Sequence, residues 1–401
     1  MNKFGLMALL CLGLNMTAPV ALSEQANDEF SADVQPVFFA DNVSSLDVKY
    51  VDKTVHLLSS KKIDGNDSIW YQSSPDEGMT WSDAVNITQG ISIQARVRRG
   101  NDARLAVQGT NIVAVWMTKR EGNRHNAGPM MAMASHDSGQ TWQQIDTPAD
   151  WDGPHGFFAM DANAEDISLV WLDSRAKIVD GATQGLHFAK SLDGGMSWSA
   201  NQTLDERSCA CCWNTAKYHD EAFYVLYRDK DPSDMTLGKV DAEQQWQALS
   251  TVGEFDWDFQ GCPHIGGSFA FDSQHELIHS TVGTGHPKKT GTYYLRSHDK
   301  GKTWTLPHRL GGETAVHSDL AVSSSDGTVI AAWDMITENG FQVMVAESDN
   351  QGQSWSDQAL LSTSGIRASH PRVVAIENGF LVLWTEGRAN KPQSLRAVKI
   401  D

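Results

Sequence analysis

Two short runs concentrate the ligating chemistry of this chain. Cys209-Ala210-Cys211-Cys212 packs three thiols together, and Gly261-Cys262-Pro263-His264 sets a thiol two residues from an imidazole. Thiolates with an imidazole make a tetrahedral zinc site, or a softer copper(I) site. With Cys11 set aside in the expected leader, these four cysteines can instead form two disulfides in an oxidising compartment. Both readings need the two runs to meet in space. A full set of four protein ligands leaves no open coordination position, so such a metal holds structure rather than doing chemistry. The chain has no Gly-x-Ser-x-Gly elbow, no His-Glu-x-x-His pair and no phosphate-binding glycine loop. Serine esterase, zincin and nucleotide enzyme therefore have no support.

The elements that position these residues are legible as repeats. An eight-residue pattern, Ser-x-Asp-x-Gly-x-Thr/Ser-Trp, begins at Ser74, Ser135, Ser191 and Ser297, and again at Ser348 with Asn350 in place of Asp. It suits a tight hairpin turn. The carboxylate accepts hydrogen bonds from turn amides, the glycine permits positive φ, and the tryptophan covers the turn. The interval from Trp198 to Trp304 is about twice the others, and Trp246, after Asp241, stands near its middle as the remnant of a sixth turn.

A second repeat runs in phase with the first: an apolar strand ending in an aromatic. Val113-Ala114-Val115-Trp116, Ser168-Leu169-Val170-Trp171, Tyr224-Val225-Leu226-Tyr227, Val329 to Trp333 and Leu381 to Trp384 are its clear members; Val55 to Leu58 and Leu277 to Ser280 are weaker ones. Seven such strands against six turns predict an all-β, seven-bladed propeller of four-stranded blades. Val34 to Phe39 would supply the outer strand of the last blade and close the ring. A six-bladed ring is the alternative.

In a propeller the innermost strand of each blade lines the central channel, and the residues just before it face one rim. That phase gives Arg96 and Arg98, His155, Trp213, His264, His317 and His370. A ring of histidines with arginines suits an acidic or carbohydrate ligand, or proton transfer near neutral pH. Arg175 and Arg228 each follow a repeat strand. Either can reach across the rim to a carboxylate, or pair locally with Asp173 or Asp229. Trp151, Trp213 and Trp257 are candidates for stacking on sugars.

At its turns the sequence resembles the sialidase-like, BNR-repeat family, over nearly the whole mature chain. That resemblance implies a propeller more securely than an activity. Classical sialidases carry an Arg-Ile-Pro motif, an arginine triad and a Tyr/Glu nucleophile pair. Here Arg-Ile-Pro is absent and no such pair can be assigned, although Arg96, Arg98, Arg228, Arg367 and Arg372 are available cations. The chain is also similar to seven-bladed ulvan-lyase-type propellers, which abstract a proton beside a uronate carboxylate. That resemblance implies His155 as general base and Arg228 as carboxylate clamp. Trp213 stands where the lyase tyrosine is expected, with Tyr218 nearby. A narrower resemblance, to bacterial sialidase-like proteins sharing the Cys-x-Cys-Cys and Gly-Cys-Pro-His runs, settles no activity. Two readings follow: a propeller that binds a glycan or protein at its rim, or an enzyme acting on anionic polysaccharide.

Bulk properties bound these readings. The formal net charge is -18 and no basic run offsets it, which argues against a nucleic-acid partner. Lys3, the apolar stretch Phe4 to Leu14 and the small-x-small site Ala21-Leu22-Ser23 read as a secretory leader over residues 1–23. One domain, 24–401, follows, with no later segment apolar enough to cross a bilayer. The expected location is periplasmic or secreted.

Overall fold

The computed structural model describes residues 36–122, 125–175, 184–261, 263–388 and 391–401. The expected leader and Cys262 lie outside the described residues. Apolar runs punctuated by Gly, Asn and Asp become antiparallel strands, and these assemble into seven four-stranded sheets. Among the described residues there is no helix. The innermost strands are Val43–Val51, Arg104–Gln108, His155–Ala162, Thr215–His219, Gly267–Asp272, Ala315–Val322 and Ala368–Ile376, opening blades 1 to 7 in order.

The ring closes as the sequence predicts. Pro36–Ala40 pairs antiparallel with Ser394–Ile400, setting Pro36 opposite Val398 and Ala40 opposite Leu395. The last blade is thus built from both ends of the chain, which leaves no open edge. It also explains why seven blades need only six interior turns.

Each turn is held by one repeated set of bonds. In blade 2 the Gly139 N–H donates to Ser135 Oγ at 2.8 Å. The Thr141 N–H and hydroxyl donate to the two Asp137 oxygens at 2.8 and 2.6 Å, and the Trp142 indole donates to the Gly139 carbonyl at 3.0 Å. These bonds pull the Asp137 carboxyl down to about 2, the Thr141 hydroxyl contributing most. Gly139 has φ 87°, and a Cβ there would stand 2.0 Å from the Tyr71 ring. The fifth copy works with an amide: Asn350 accepts from the Ser354 N–H at 2.9 Å and donates to its hydroxyl at 2.7 Å. The Asp241 remnant still accepts the Gln245 N–H at 2.7 Å.

Seven apolar clusters fill the ring, each between two neighbouring blades. The turn tryptophans pack backwards onto the preceding blade. Trp142 meets Tyr71 at 5.4 Å and Trp355 meets Tyr294 at 4.8 Å between ring centroids. The same eight residues therefore shape a hairpin and join it to its neighbour.

Candidate functional site at the channel rim

The rim opposite the turns is where the blades stop being alike. Besides the register shift between Val43 and Ser45 in blade 1, the inner strands of blades 3, 6 and 7 open with a bulge, between Gly156 and Ala159, between Ala315 and Ser318, and between Ser369 and Arg372. A bulge re-aims the side chains beside it. His317 and His370 lie inside the second and third bulges. His370 takes φ 54°.

The two imidazoles stack, with centroids 3.8 Å apart and planes 19° from parallel. Trp213 lies 5.1 Å from the His317 ring and 5.9 Å from the His370 ring, and is itself buried. Gly266 admits the indole, since a Cβ there would stand 2.2 Å from it. Beneath the pair is Asp334, fully buried at the end of the second strand of blade 6. One of its oxygens bonds His317 Nδ1 at 2.7 Å. The backbone N–H groups of His317 and His370 donate to it at 3.1 and 2.8 Å. A carboxylate accepts, so the His317 Nδ1–H donates to Asp334. The His317 side chain is 15% exposed, enough for a ligand to reach it. Burial, then the neighbouring His317 and Arg99, hold His370 well below the ordinary histidine range. It is a neutral ring.

The residue before Trp213 begins the thiol cluster. The ligating atoms of Cys209, Cys211 and Cys212 all lie within 4.8 Å of one another, and all three residues are buried. The Cys209 and Cys212 sulfurs are 3.2 Å apart. Hydrogen bonds from Cys211 and Cys212 pull the Cys209 thiol down to about 3, while burial pushes Cys212 up to about 12. The Cys209 and Cys212 thiols share a hydrogen bond in which either sulfur can donate. His264 is next to this cluster. Burial lowers its imidazole first, and Arg98, Cys209, His317 and a backbone bond from Cys211 also act on it. Of the second Cys-containing run, His264 is described and Cys262 lies outside the described residues. The three thiols are close enough together to hold one ion, and His264 is not a member of that group. His317, Asp334 and His370 form a second group whose ligating atoms lie within 4.8 Å.

Other residues singled out in the sequence sit elsewhere. His155 precedes its bulge, so it stays in regular register opposite Asp173 and is buried. Its Nδ1 accepts the Met130 N–H at 2.9 Å, the Trp151 and Trp171 edges pack on it, and burial lowers it to about 4. Its ring is thus enclosed rather than open to the rim. Arg228 is likewise enclosed. It is buried and spends its donors on the carbonyls of Ile265, Ser233 and Gly283, with its guanidinium 5.0 Å from the Trp257 ring. Its own carbonyl accepts the Cys209 N–H at 2.9 Å. Arg228 thereby ties the loop that ends at Ile265 to the thiol cluster.

Arg175 takes the local option, pairing with Asp173 and Asp150. Tyr218 lies toward the far end of its inner strand and bonds Ser168 at 2.6 Å. Arg98 is exposed and acts on His264, and Arg96 is half-buried beside Arg98. The partner missed in the sequence is Asp334. Its place after Trp333 matches Asp173 after Trp171 and Leu172, and a carboxylate beside that aromatic was the available signal.

No protein-family model and no curated protein matches the sequence. Solved structures do. A polysaccharide lyase PL25 ulvan lyase bound to -[GlcA(1-4)Rha3S]- superposes with TM-score 0.62 at 10% identity, over 91% of this chain and 96% of that chain. The chain shares its fold with a polysaccharide lyase. Ycf48 bound to D1 peptide matches with TM-score 0.55 at 14% identity, over 92% and 96% of the two chains. NanB sialidase from Streptococcus pneumoniae matches more loosely, with TM-score 0.48 at 12% identity over 96% of this chain and 71% of that one. At these identities the likeness speaks for the fold, and residue roles rest on the geometry of this chain.

Proposed function

We propose that this chain is an exported propeller that binds an acidic glycan at its histidine rim, with a structural metal centre of Cys209, Cys211, Cys212 and His264 built into the same rim. Cys262 is the remaining candidate ligand. The observation that carries the proposal is a convergence on Trp213. The stacked His317 and His370 rings pack on its indole, and the thiol cluster begins at its preceding residue.

The local charge suits an anion. Arg98 is exposed, and Arg99 and Arg367 act on His370. Neutral imidazoles supply directional hydrogen bonds to sugar hydroxyls, and guanidinium groups pair with carboxylate or sulfate. The ulvan lyase of the same fold is bound to a glucuronate-containing chain, which supports an acidic sugar as ligand class. Zinc suits three thiolates with an imidazole, and copper(I) suits thiolates alone.

The test pairs two measurements on protein purified without chelator. Metal analysis should find about one equivalent of zinc or copper per chain. Calorimetric titration should show binding of uronate oligosaccharides and none of neutral ones. Two disulfides by mass spectrometry with no metal would remove the metal centre. Equal binding of neutral chains would remove the acidic-ligand reading.

A second reading, lyase chemistry, rests on the Asp334–His317 pair. Asp334 fixes the His317 tautomer, so His317 Nε2 rather than the buried His155 is placed to take a proton. Turnover of uronate polysaccharide that His317→Ala abolishes and His155→Phe preserves would establish it.

A further inference from the structure

The seven inner strands enclose a second polar space on the ring axis, a cavity of about 450 Å³. It reaches Tyr50, His219 and Ala375, which lie toward the ends of their inner strands, so it opens on the face opposite the histidine rim. Its walls carry Lys49, Arg104, Lys217 and Arg372 against Asp47, Asp161 and Asp319.

Most of these charges are spoken for. Arg104 pairs with Asp47 at 2.9 Å and Lys49 with Asp161 at 3.2 Å. Asp102, which also acts on this layer, is held by Arg99 at 2.7 Å. Asp319 accepts from the Ser268 hydroxyl and from the backbone N–H groups of Leu320 and Val373.

Lys217 and Arg372 remain. Among the described residues the Lys217 ammonium makes no hydrogen bond or ion pair. The charges acting on it are Asp319, Lys49, Asp161 and Arg372, contributed by blades 6, 1, 3 and 7, so it stands where the blades face one another across the axis. Arg372 comes no nearer to a carboxylate than 3.8 Å, to Asp102, and its Nε is buried without a partner. Burial lowers the Lys217 ammonium and brings Arg372 down to about 10. Four cations face three carboxylates in this cavity, so one positive charge is left over, an electrostatic cost that a bound anion would offset.

We propose that the axial cavity is an oxyanion site in which Lys217 and Arg372 hold a phosphate, sulfate or carboxylate group. The volume exceeds a lone tetrahedral anion and lies within the range of small-molecule pockets, so the group can belong to an acidic monosaccharide as well as to a free ion. This site is separate from the rim and goes beyond the reading proposed for it.

The test uses the full chain and Lys217→Met, which keeps the length of the side chain and deletes the charge. Inorganic phosphate and sulfate form one arm; glucuronate and a sulfated monosaccharide form the other, all titrated calorimetrically at matched ionic strength in chloride. The expected result is one site per chain for at least one of these ligands, with at least tenfold weaker binding in Lys217→Met. The arm that binds tells a free ion from a sugar. In chloride alone, Lys217→Met should melt no lower than the parent, because it removes an unpaired buried charge. No binding in either arm, or binding equal in parent and variant, overturns the proposal. So does a phosphate-induced rise in melting temperature that Lys217→Met shares in full, since excluded salts stabilise any fold. Binding of acidic oligosaccharide at the rim should survive Lys217→Met, so the two sites fail separately.

Discussion

The two faces of this ring are made from the same seven repeats and have opposite characters. On one face the turns recur with near-identical bonds, from Ser74 and Asp76 in blade 1 to Ser297 and Asp299 in blade 5. On the other, each inner strand opens differently: a buried histidine in blade 3, a thiol cluster before blade 4, and a stacked histidine pair in blades 6 and 7. Repetition marks what every blade needs in order to fold. Divergence at a common phase marks what only the assembled ring can do, since Trp213 before blade 4 meets the His317 and His370 rings of blades 6 and 7.

Changes at the rim and at the turns should therefore separate stability from binding. The largest effect is expected at the thiol cluster. Cys211→Ser should release the metal and lower stability by several kcal/mol, because metal-binding free energy is folding free energy. Metal analysis and a urea midpoint check this. An unchanged midpoint in the metal-free variant would place the cluster outside the folding account.

Acid comes next. His56, His155 and His279 are buried, and burial lowers each to about 4. A folded pKa below the unfolded value means that the unfolded chain takes up the protons first. The stabilisation is complete above pH 6.5 and is lost as pH falls from there to about 4, at roughly 2–3 kcal/mol per histidine. Urea unfolding measured across that window should show the slope. A flat profile would contradict neutral burial of these rings.

Turn substitutions are smaller and purely structural. Ser135→Ala orphans the Gly139 N–H and should cost about 1–2 kcal/mol while leaving glycan affinity untouched. Asn350→Asp, which restores the commoner turn residue, should move stability by less than about 0.5 kcal/mol. Thermal melts of both variants test the ordering.

Much of this was legible in the sequence. The Ser-x-Asp-x-Gly turns and the apolar strands ending in aromatics count seven blades, because each feature makes its bonds within one hairpin. Closure by Pro36–Ala40 was legible from the surplus of strands over turns. The phase of the rim histidines was also readable, but phase gives height along the channel and not the direction of a side chain. His155 ends up inside and His317 at the surface because one precedes its bulge and the other lies within it, and a shift of one residue exchanges the faces of a strand. Asp334 was readable only as a carboxylate beside its strand's aromatic, without its partners. Its bond to His370 spans two blades and 36 residues, and no local pattern encodes that distance. Arg228 looked like a ligand clamp because two of its three carbonyl partners, Ile265 and Gly283, come from the next blade.

The central claim is that the histidine rim, and not the rest of the ring, recognises an acidic glycan. Its most direct test is calorimetric titration of one uronate oligosaccharide into the parent chain, His317→Ala, Arg98→Ala and Ser135→Ala. The expected result is a single site in the parent, loss of binding in His317→Ala, about tenfold weaker binding in Arg98→Ala, and parental affinity in Ser135→Ala. Parental affinity in both rim variants would contradict the account.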